Sequence, residues 1–328
     1  MRDDIGPFFA GRKLIVVGDI IIDEYKTGQQ LGLSAETPTI VAKHLSTHCS
    51  LGGAALTVRN VLALGGSACF VSLAGEDGYR SIVDSFQHPC LTKLIAVEAG
   101  RCTTVKSRYW VNGYKLLQWD YLDHRPASDA TVGYFLGEIR RRLPECHALI
   151  ISDYRHALLT PAFAAELVQA ASHFGKPIYV DSQVSQRAAN HHWYKGATLF
   201  CVNEKEALGI DSNYSGQNLP VELARLKGLL NARSIVLKRG AQGCCALLEE
   251  GYVEMPAAKV QPIDTTGAGD AFFAALSLGH APVTAQHLTV ANAWAGLSTT
   301  INGPEPPDLI QLDALLRQHN RSDAYLRN

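Results

Sequence analysis

The second half of the chain is written in one rhythm: a short apolar run, a polar bend, a helical stretch, then another apolar run. "HALIISD" (147–153), "KPIYVD" (176–181), "ATLFCVN" (197–203) and "SIVLKRG" (234–240) are the apolar runs. Runs this short, apolar nearly throughout rather than alternating, suit strands covered on both faces. One intervening helix is fully punctuated, with Thr160 as N-cap, Pro161 at its first position and Gly175 past its end. The same pattern opens the chain: "KLIVVGD" (13–19) reads as a strand, "GGAALTVRNVLALGG" (52–66) as a glycine-led helix closed by Gly65 and Gly66, and "ACFVSLAGEDG" as strand and turn. "CCALLEEGYVEMPA" reads as a late hairpin. Strand–helix alternation over most of a chain predicts an α/β fold built on a largely parallel sheet. With 328 residues, 47% of them hydrophobic, a single large domain over 1–328 is expected.

Two segments break the rhythm. Residues 24–48 are polar and mixed around the strand-like "TPTIVAKHL", and residues 101–121, "RCTTVKSRYWVNGYKLLQWDY", alternate around an Asn112–Gly113 turn. They predict a small β layer standing off the main sheet. Such a layer serves either as a lid that excludes water from a cleft or as a structural edge hairpin.

Charge excludes some partners. The net charge is −1 and the pI about 6.9, so no global field recruits nucleic acid or anionic lipid. No apolar stretch approaches the roughly 18 residues a membrane span needs. The N-terminus lacks the basic-then-apolar layout of a signal peptide. The eight cysteines contain no CxxC pair and read as reduced core residues of a cytoplasmic protein.

The chemistry is concentrated in "DTTGAGDAFFAAL" (264–276). Gly267, Ala268 and Gly269 can turn several N–H groups toward one anion, and the helix that follows adds its unpaired N–H groups. That suits a phosphate, or a phosphoryl group in transit. A carboxylate, Asp270, would repel a phosphate unless it contacts the hydroxyl that attacks it, orienting it and taking its proton. On spacing alone, Asp270 reads equally as the N-cap of the helix. There is no GxxxxGK[ST], and "GAGDAF" lacks the third glycine of a dinucleotide fingerprint.

These residues resemble the ribokinase-like (PfkB) carbohydrate kinases. "DTTGAGDAFFAAL" is similar to their C-terminal signature, and Gly52–Gly53 ahead of a helix to their N-terminal one. "VVGDIIIDEY", "TTVKSR", "ISDYRHALL", "YKGATLFCVNEKEA" and "LKRGAQG" continue the resemblance in order over nearly the whole chain. Within the family, "GDIIIDEY", "SAETPTIV", "TTVKSR", "SDY" and "YKGAT" are most similar to the branch that phosphorylates D-glycero-D-manno-heptose 7-phosphate. Fused members of that branch carry a C-terminal nucleotidyltransferase, which has no counterpart in this sequence.

The resemblance implies a doubly wound sheet with a β lid, ATP and Mg²⁺ as co-substrates, and in-line transfer to a sugar hydroxyl. It makes Asp270 the base and Gly267–Gly269 the anion hole. It puts Asp23 on sugar hydroxyls and Gly52 and Gly53 where the lid meets the core. Asn203 and Glu206 fall near Mg²⁺ and the phosphates. Lys238, Gly240 and Gly243 fall on the nucleotide loop, and Asn292 beside the adenine. Asp264 and Thr266 sit where many relatives hold a monovalent cation such as K⁺.

Several positions depart from the heptose branch: Gly32, Leu56, Gln118, His156 and Gln183 stand where arginine, asparagine, arginine, lysine and lysine are expected. Charge-assisted bonds to a phosphate contribute about 1.5–3 kcal/mol each, so these losses bear on a phosphorylated acceptor. Lys106 and Arg108, two apart on the second hairpin, share a face and are candidate contacts to an anionic substrate; Arg59 and Arg155 are further cations. The expected activity is phosphorylation of a small sugar or sugar phosphate. Its rivals are a kinase of a neutral sugar or nucleoside and a sensor that has lost catalysis.

Other signals carry less. His44, His48 and Cys49 could bind zinc on a helix but lie in a strand-like segment. His191, His192 and Trp193 follow a polar loop and read as surface or near-nucleotide residues. Asp19 reads either as a second sugar-site acid or as a turn cap. Tyr109, Trp110, Tyr114 and Trp119 suit packing between the β layers of a homodimer better than stacking on a sugar.

Overall fold

Residues 6–184 and 188–325 are described by a computed structural model. The chain opens with a single helical turn, α1 (Gly6–Phe9), and runs into β1 (Lys13–Gly18). It then leaves for two long strands, β2 (Ile20–Leu33) and β3 (Ile40–Gly53). It returns through α2 (Ala54–Ala63), β4 (Ser67–Gly75), α3 (Arg80–Ser85) and β5 (Leu91–Glu98). A second excursion, β6 (Thr104–Val111) and β7 (Tyr114–Tyr121), precedes α4 (Asp129–Arg142), β8 (Ala148–Asp153), α5 (Pro161–His173) and β9 (Ile178–Ser182). β10 (Leu199–Asn203), α6 (Glu204–Ile210), α7 (Leu219–Leu230) and β11 (Ser234–Lys238) follow. The hairpin β12 (Cys244–Leu247) and β13 (Tyr252–Met255) leads to α8 (Ala268–Leu278), α9 (Ala285–Ser298) and α10 (Leu309–Tyr325).

Nine strands form one sheet in the order β13-β12-β11-β10-β9-β8-β1-β4-β5. It is parallel from β5 to β11, and only the β12–β13 hairpin at one edge runs antiparallel. The continuous apolar runs have the expected cause, because successive side chains enter two separate cores. Leu14, Val16, Ala148, Ile150, Leu199 and Cys201 join the core under α2, α8 and α9. Ile15, Val17, Leu149, Ile151, Phe200 and Val202 join the core under α4, α5 and α7. Helices therefore cover both faces, and the chain reverses its direction of travel across the sheet between β1 and β8. In such sheets ligands bind outside the carboxyl ends of the strands at the reversal.

The second sheet has the order β3-β2-β6-β7. Two antiparallel hairpins are joined by parallel pairing of β2 with β6, in which Asp23 lies opposite Lys106 and Tyr25 opposite Arg108. The Asn112–Gly113 turn is as the sequence predicts, with both residues at positive φ (51° and 82°). The Thr160 hydroxyl caps α5 by accepting the Phe163 N–H at 3.2 Å. Gly65 and Gly66 close α2 by donating their N–H groups to the carbonyls of Leu62 and Val61, each at 3.0 Å. Two expectations need correction. β2 and β3 reach further than residues 24–48, to Ile20 and Gly53. Cys90 and Cys102 are exposed rather than core residues, unlike Cys69, Cys146, Cys201, Cys244 and Cys245. Among the described residues no helix is long and apolar enough to cross a membrane.

Candidate active site

The carboxyl ends of β1, β8, β9, β10 and β11 deliver Asp19, Tyr154, Asp181, Asn203 and Lys238 to one side of the sheet, and the head of α8 faces them. A cavity of about 450 Å³ lies there, lined by Tyr154, Asp181, Asn203, Glu206, Lys238 and Asp270 among others. A second, more apolar cavity of about 430 Å³ shares Lys238, Gly240 and Gly269 with it and continues to Gly243, Phe272 and Asn292. The two open onto a common rim.

Asp270 is not the N-cap of its helix. Gly267 holds that place, in the left-handed region at φ 78° and with no side chain to cap, so Asp270 stands three residues in. Among the described residues the N–H groups of Gly267, Gly269 and Asp270 have no backbone acceptor. They form the positive end of α8 beside the carboxylate. The Tyr154 hydroxyl donates to Asp270 Oδ1 at 2.5 Å and the Thr57 hydroxyl to the same oxygen at 3.3 Å. The carboxyl opens on the cavity but is ringed by protein. Burial pushes its pKa up to about 7, with the charge of Asp181 adding to the rise and the donors and Lys238 opposing it.

The Lys238 ammonium sits 2.5 Å from Asp181 Oδ2. Burial alone would pull it down, yet the neighbouring negative charge of Asp181 and Glu206 holds it well above its ordinary value. Asn203 and Glu206 are bound to each other in a capping box at the head of α6. Glu206 accepts the Asn203 N–H at 2.8 Å and its side-chain amide at 2.7 Å. Burial raises the Glu206 pKa, which Lys238 counters. Gly240 and Gly243 both have positive φ, and a Cβ on Gly243 would lie 2.1 Å from the Met255 carbonyl oxygen. Asn292, on α9, donates to the carbonyls of Met255 and Pro256 at the second cavity.

The small sheet lines neither cavity but brings Asp23 and Arg108 within electrostatic reach of Tyr154 and Asp264. Asp23 is buried and pairs with Arg108 at 2.6 Å. A Cβ on Gly52 would come within 2.0 Å of Asp23 Oδ2, so only glycine leaves that carboxylate in place. Gly53 is the N-cap of α2 at φ 62°. Lys106 lies beside Asp23 in register and makes no hydrogen bond or ion pair among the described residues. Asp264 accepts the N–H groups of Thr266 at 2.9 Å and Gly303 at 3.1 Å. Burial works against the ionised form of Asp264, but those donors, with the Arg108 charge across the cleft, hold its pKa below the ordinary value.

The remaining candidates sort by geometry. Asp19 is a turn cap: its carboxylate accepts the N–H groups of Tyr154, His156 and Leu158. His191 is 1% exposed with its ring tilted against Phe200, so the surface reading fails for it, while His192 is exposed. Trp119 sits in register with Ser107, on the face away from Asp23, which removes sugar stacking as its role. His44 and His48 lie on β3, in a strand as read. Arg59 pairs with Glu305, and Arg155 lies over Trp193 and binds the Ala188 carbonyl. Of the departures, Leu56 is buried against Gly267, Gln183 lines the first cavity, and Gln118 lies opposite Arg108. His156 stacks on His124, and Gly32 is at the exposed far end of β2. Sequence reasoning passed over Asp181, Tyr154 and Thr57; the first two do close apolar strand runs, which is the available signal.

A family model described as pfkB family carbohydrate kinase matches residues 129–308, more than half of the chain. The bifunctional protein HldE of Caulobacter vibrioides is 30% identical over 316 residues, covering 93% of this chain and 64% of that protein. Its counterpart in Bradyrhizobium diazoefficiens is 30% identical over 337 residues, covering 99% and 66%. The chain thus spans about two thirds or less of the length of these curated relatives. Among solved structures, Arabidopsis thaliana ribokinase complexed with ribose and ATP superposes with a TM-score of 0.71 at 18% identity, covering 93% of this chain and 99% of that one. Escherichia coli phosphofructokinase-2 in complex with potassium superposes with a TM-score of 0.74 at 16% identity, covering 94% and 98%.

Proposed function

The chain belongs to the pfkB family of carbohydrate kinases and has a ribokinase-like fold, and from that premise we propose that it transfers the γ-phosphoryl group of ATP to a hydroxyl of a small sugar or sugar phosphate. One observation carries the reading: a carboxylate, Asp270, lines one cavity next to Gly269, which both cavities share, beside helix N–H groups that have no backbone acceptor among the described residues. The more apolar cavity, with Asn292 and Gly243, suits the adenine. Lys238 and the head of α8 suit the phosphates, and Asp23 the acceptor.

Mg²⁺ takes oxygen ligands and keeps much of its water. Four carboxylates line the first cavity, Asp153, Asp181, Glu206 and Asp270; Asp181 and Glu206, with the Asn203 amide, are the donor set that fits the ion. When bound, it supplies charge neutralisation on the phosphates. Asp270 orients the acceptor hydroxyl and accepts its proton, while the N–H groups at the α8 head receive charge from the moving phosphoryl group. The loop holding Asp264 and Thr266 is the candidate place for K⁺. The small sheet acts as a lid, and its outward face, with Trp119, Tyr121, Leu117 and Leu45 exposed, is the contact of a homodimer. A cytoplasmic setting fits the cysteine pattern.

Lys106 favours an anionic acceptor such as a heptose 7-phosphate, because it is a cation beside Asp23 with no hydrogen bond or ion pair among the described residues. The second reading, a neutral sugar, is favoured by Arg108 being already neutralised by Asp23. ADP release from ATP–Mg²⁺ against free sugars, nucleosides and sugar phosphates tests both. Turnover on sugar phosphates supports the first, and turnover on neutral sugars alone supports the second. Silence across the panel with ATP still bound would overturn the kinase reading in favour of a sensor.

A further inference from the structure

The turn that follows β8 holds two non-glycine residues in the left-handed region, Arg155 at φ 68° and Ala157 at φ 74°. Such residues are costly and persist only where their surroundings impose them. Asp19 does so here. Its carboxylate, 4% exposed, accepts the N–H groups of Tyr154 at 3.0 Å, His156 at 3.2 Å and Leu158 at 3.3 Å. Alternate N–H groups folded around one anion make a concave nest. In this protein the acceptor is the carboxyl of the neighbouring strand end, whose pKa burial and the charge of Asp153 push up to about 7 against the three N–H donors, and the turn is fastened to β1.

That fastening has a direction. It sends the Tyr154 ring toward α8, where its hydroxyl meets Asp270 Oδ1 at 2.5 Å, and Thr57 reaches the same oxygen from α2 at 3.3 Å. Among the described residues no donor reaches Oδ2, and Asp270 lines the cavity. The two oxygens of one carboxylate are therefore unequal.

We propose that Tyr154, held by Asp19, is the positioning residue for Asp270, fixing Oδ1 so that Oδ2 meets the acceptor hydroxyl. The proposal rests on Asp270 being the base. In the step it serves, the acceptor oxygen bonds to the γ-phosphorus as the bond from that phosphorus to the bridging oxygen breaks. ADP leaves with the bond's electron pair, and the hydroxyl proton passes to Oδ2. Tyr154 keeps its own proton throughout, since burial and the neighbouring Asp270 carboxylate hold its phenol well above the ordinary range. The other groups facing Asp270 are Thr57 from α2, Asp181 from β9 and Lys238 from β11, with Asp23 of the small sheet within electrostatic reach of Tyr154.

The experiment compares the pH dependence of kcat, the KM for ATP and the thermal midpoint in Tyr154→Phe, Thr57→Val and Asp19→Asn, with Asp270→Asn as reference. A hydrogen bond to an ionised group is worth about one pH unit of base titration. Tyr154→Phe is expected to move the acid limb upward by about one unit, lowering kcat about tenfold near pH 6, with the KM for ATP unchanged. Thr57→Val moves it less, its bond being longer, and Asp19→Asn moves it in the same direction with Tyr154 still present. A Tyr154→Phe enzyme with the native limb, or one uniformly weaker at every pH, overturns the positioning role while leaving the base assignment standing. An active Asp270→Asn enzyme overturns the base assignment, and this inference falls with it.

Discussion

Replacing Asp270 by asparagine should disable the protein and stabilise it at once, and the size of the second effect follows from the site. Burial moves the carboxyl from 3.8 to about 7. A folded-state pKa above the unfolded value means that the folded chain binds the proton more tightly between those limits. Stability contributed by the protonated form is therefore present below about pH 4 and lost progressively as pH rises to about 7. The ceiling on that loss is about 4 kcal/mol, at 1.36 kcal/mol per unit. Because the carboxyl opens on a cavity that water can enter, about 2 kcal/mol is the better expectation. Asparagine keeps an acceptor for Tyr154 and Thr57 and carries no charge to bury. With an unfolding entropy of about 2.1 cal/mol/K per residue over a chain this long, the variant should melt about 3 °C higher at pH 8 and match the native protein near pH 4.5. Thermal unfolding monitored by tryptophan fluorescence from pH 4.5 to 8.5 measures it, alongside ADP release, which should fall by at least a hundredfold. A variant that is less stable at pH 8, or whose advantage is the same at every pH, would refute the buried-carboxylate reasoning. Retention of more than a few per cent of turnover would refute the base.

Three further outcomes are expected. Gly52→Ala drives a methyl into Asp23 and should raise the KM for the acceptor by about tenfold, the worth of one charge-assisted bond, with the KM for ATP within twofold; steady-state kinetics with each substrate varied separate the two. Lys238→Met leaves Asp181 and Glu206 without their cation and should cost about 3 kcal/mol of stability in denaturant titration, partly restored by Asp181→Asn in the same chain. A double change restoring nothing would show that the pair is not the source. Trp119→Lys, at an exposed position on the outward face, should convert a dimer to a monomer in sedimentation velocity with folding intact; an unchanged dimer would place the contact elsewhere.

The large sheet was legible because burial on two faces leaves a mark that no surface element imitates, as in "LIVV" and "ALII". The ends of those strands were legible for a related reason: each stops at a polar residue, and the site is assembled from those stops. What was hidden depends on contacts between distant segments. Nothing local distinguishes Asp19 as the anchor of a turn more than 130 residues away, or marks Thr57 as a donor to a helix head. His191 looked like a surface residue because its neighbours are polar, whereas the fold tucks it under β10. β5 and α4 went unannounced because their apolar positions are diluted by lysine, arginine and glutamate at half-exposed places. The extension of β2 to Ile20 and of β3 to Gly53 was missed because these inner ends are buried and do not alternate, so they merge with the apolar run before β2 and the glycine-led helix after β3.

The pairing of β2 with β6 joins Ile21 to Thr104, residues separated by most of two strand–helix units. The first hairpin leaves the ribosome long before its partner exists. Until β6 arrives, one entire edge of β2 has unused amide and carbonyl groups beside exposed leucines, the arrangement that recruits strands from other molecules. Closing that ladder requires a long loop to be drawn in first, which is slow relative to local helix formation. A truncation ending before residue 104 should therefore aggregate rather than fold, and the vulnerable period in this protein's synthesis is set by the distance between two strands and not by the size of its core.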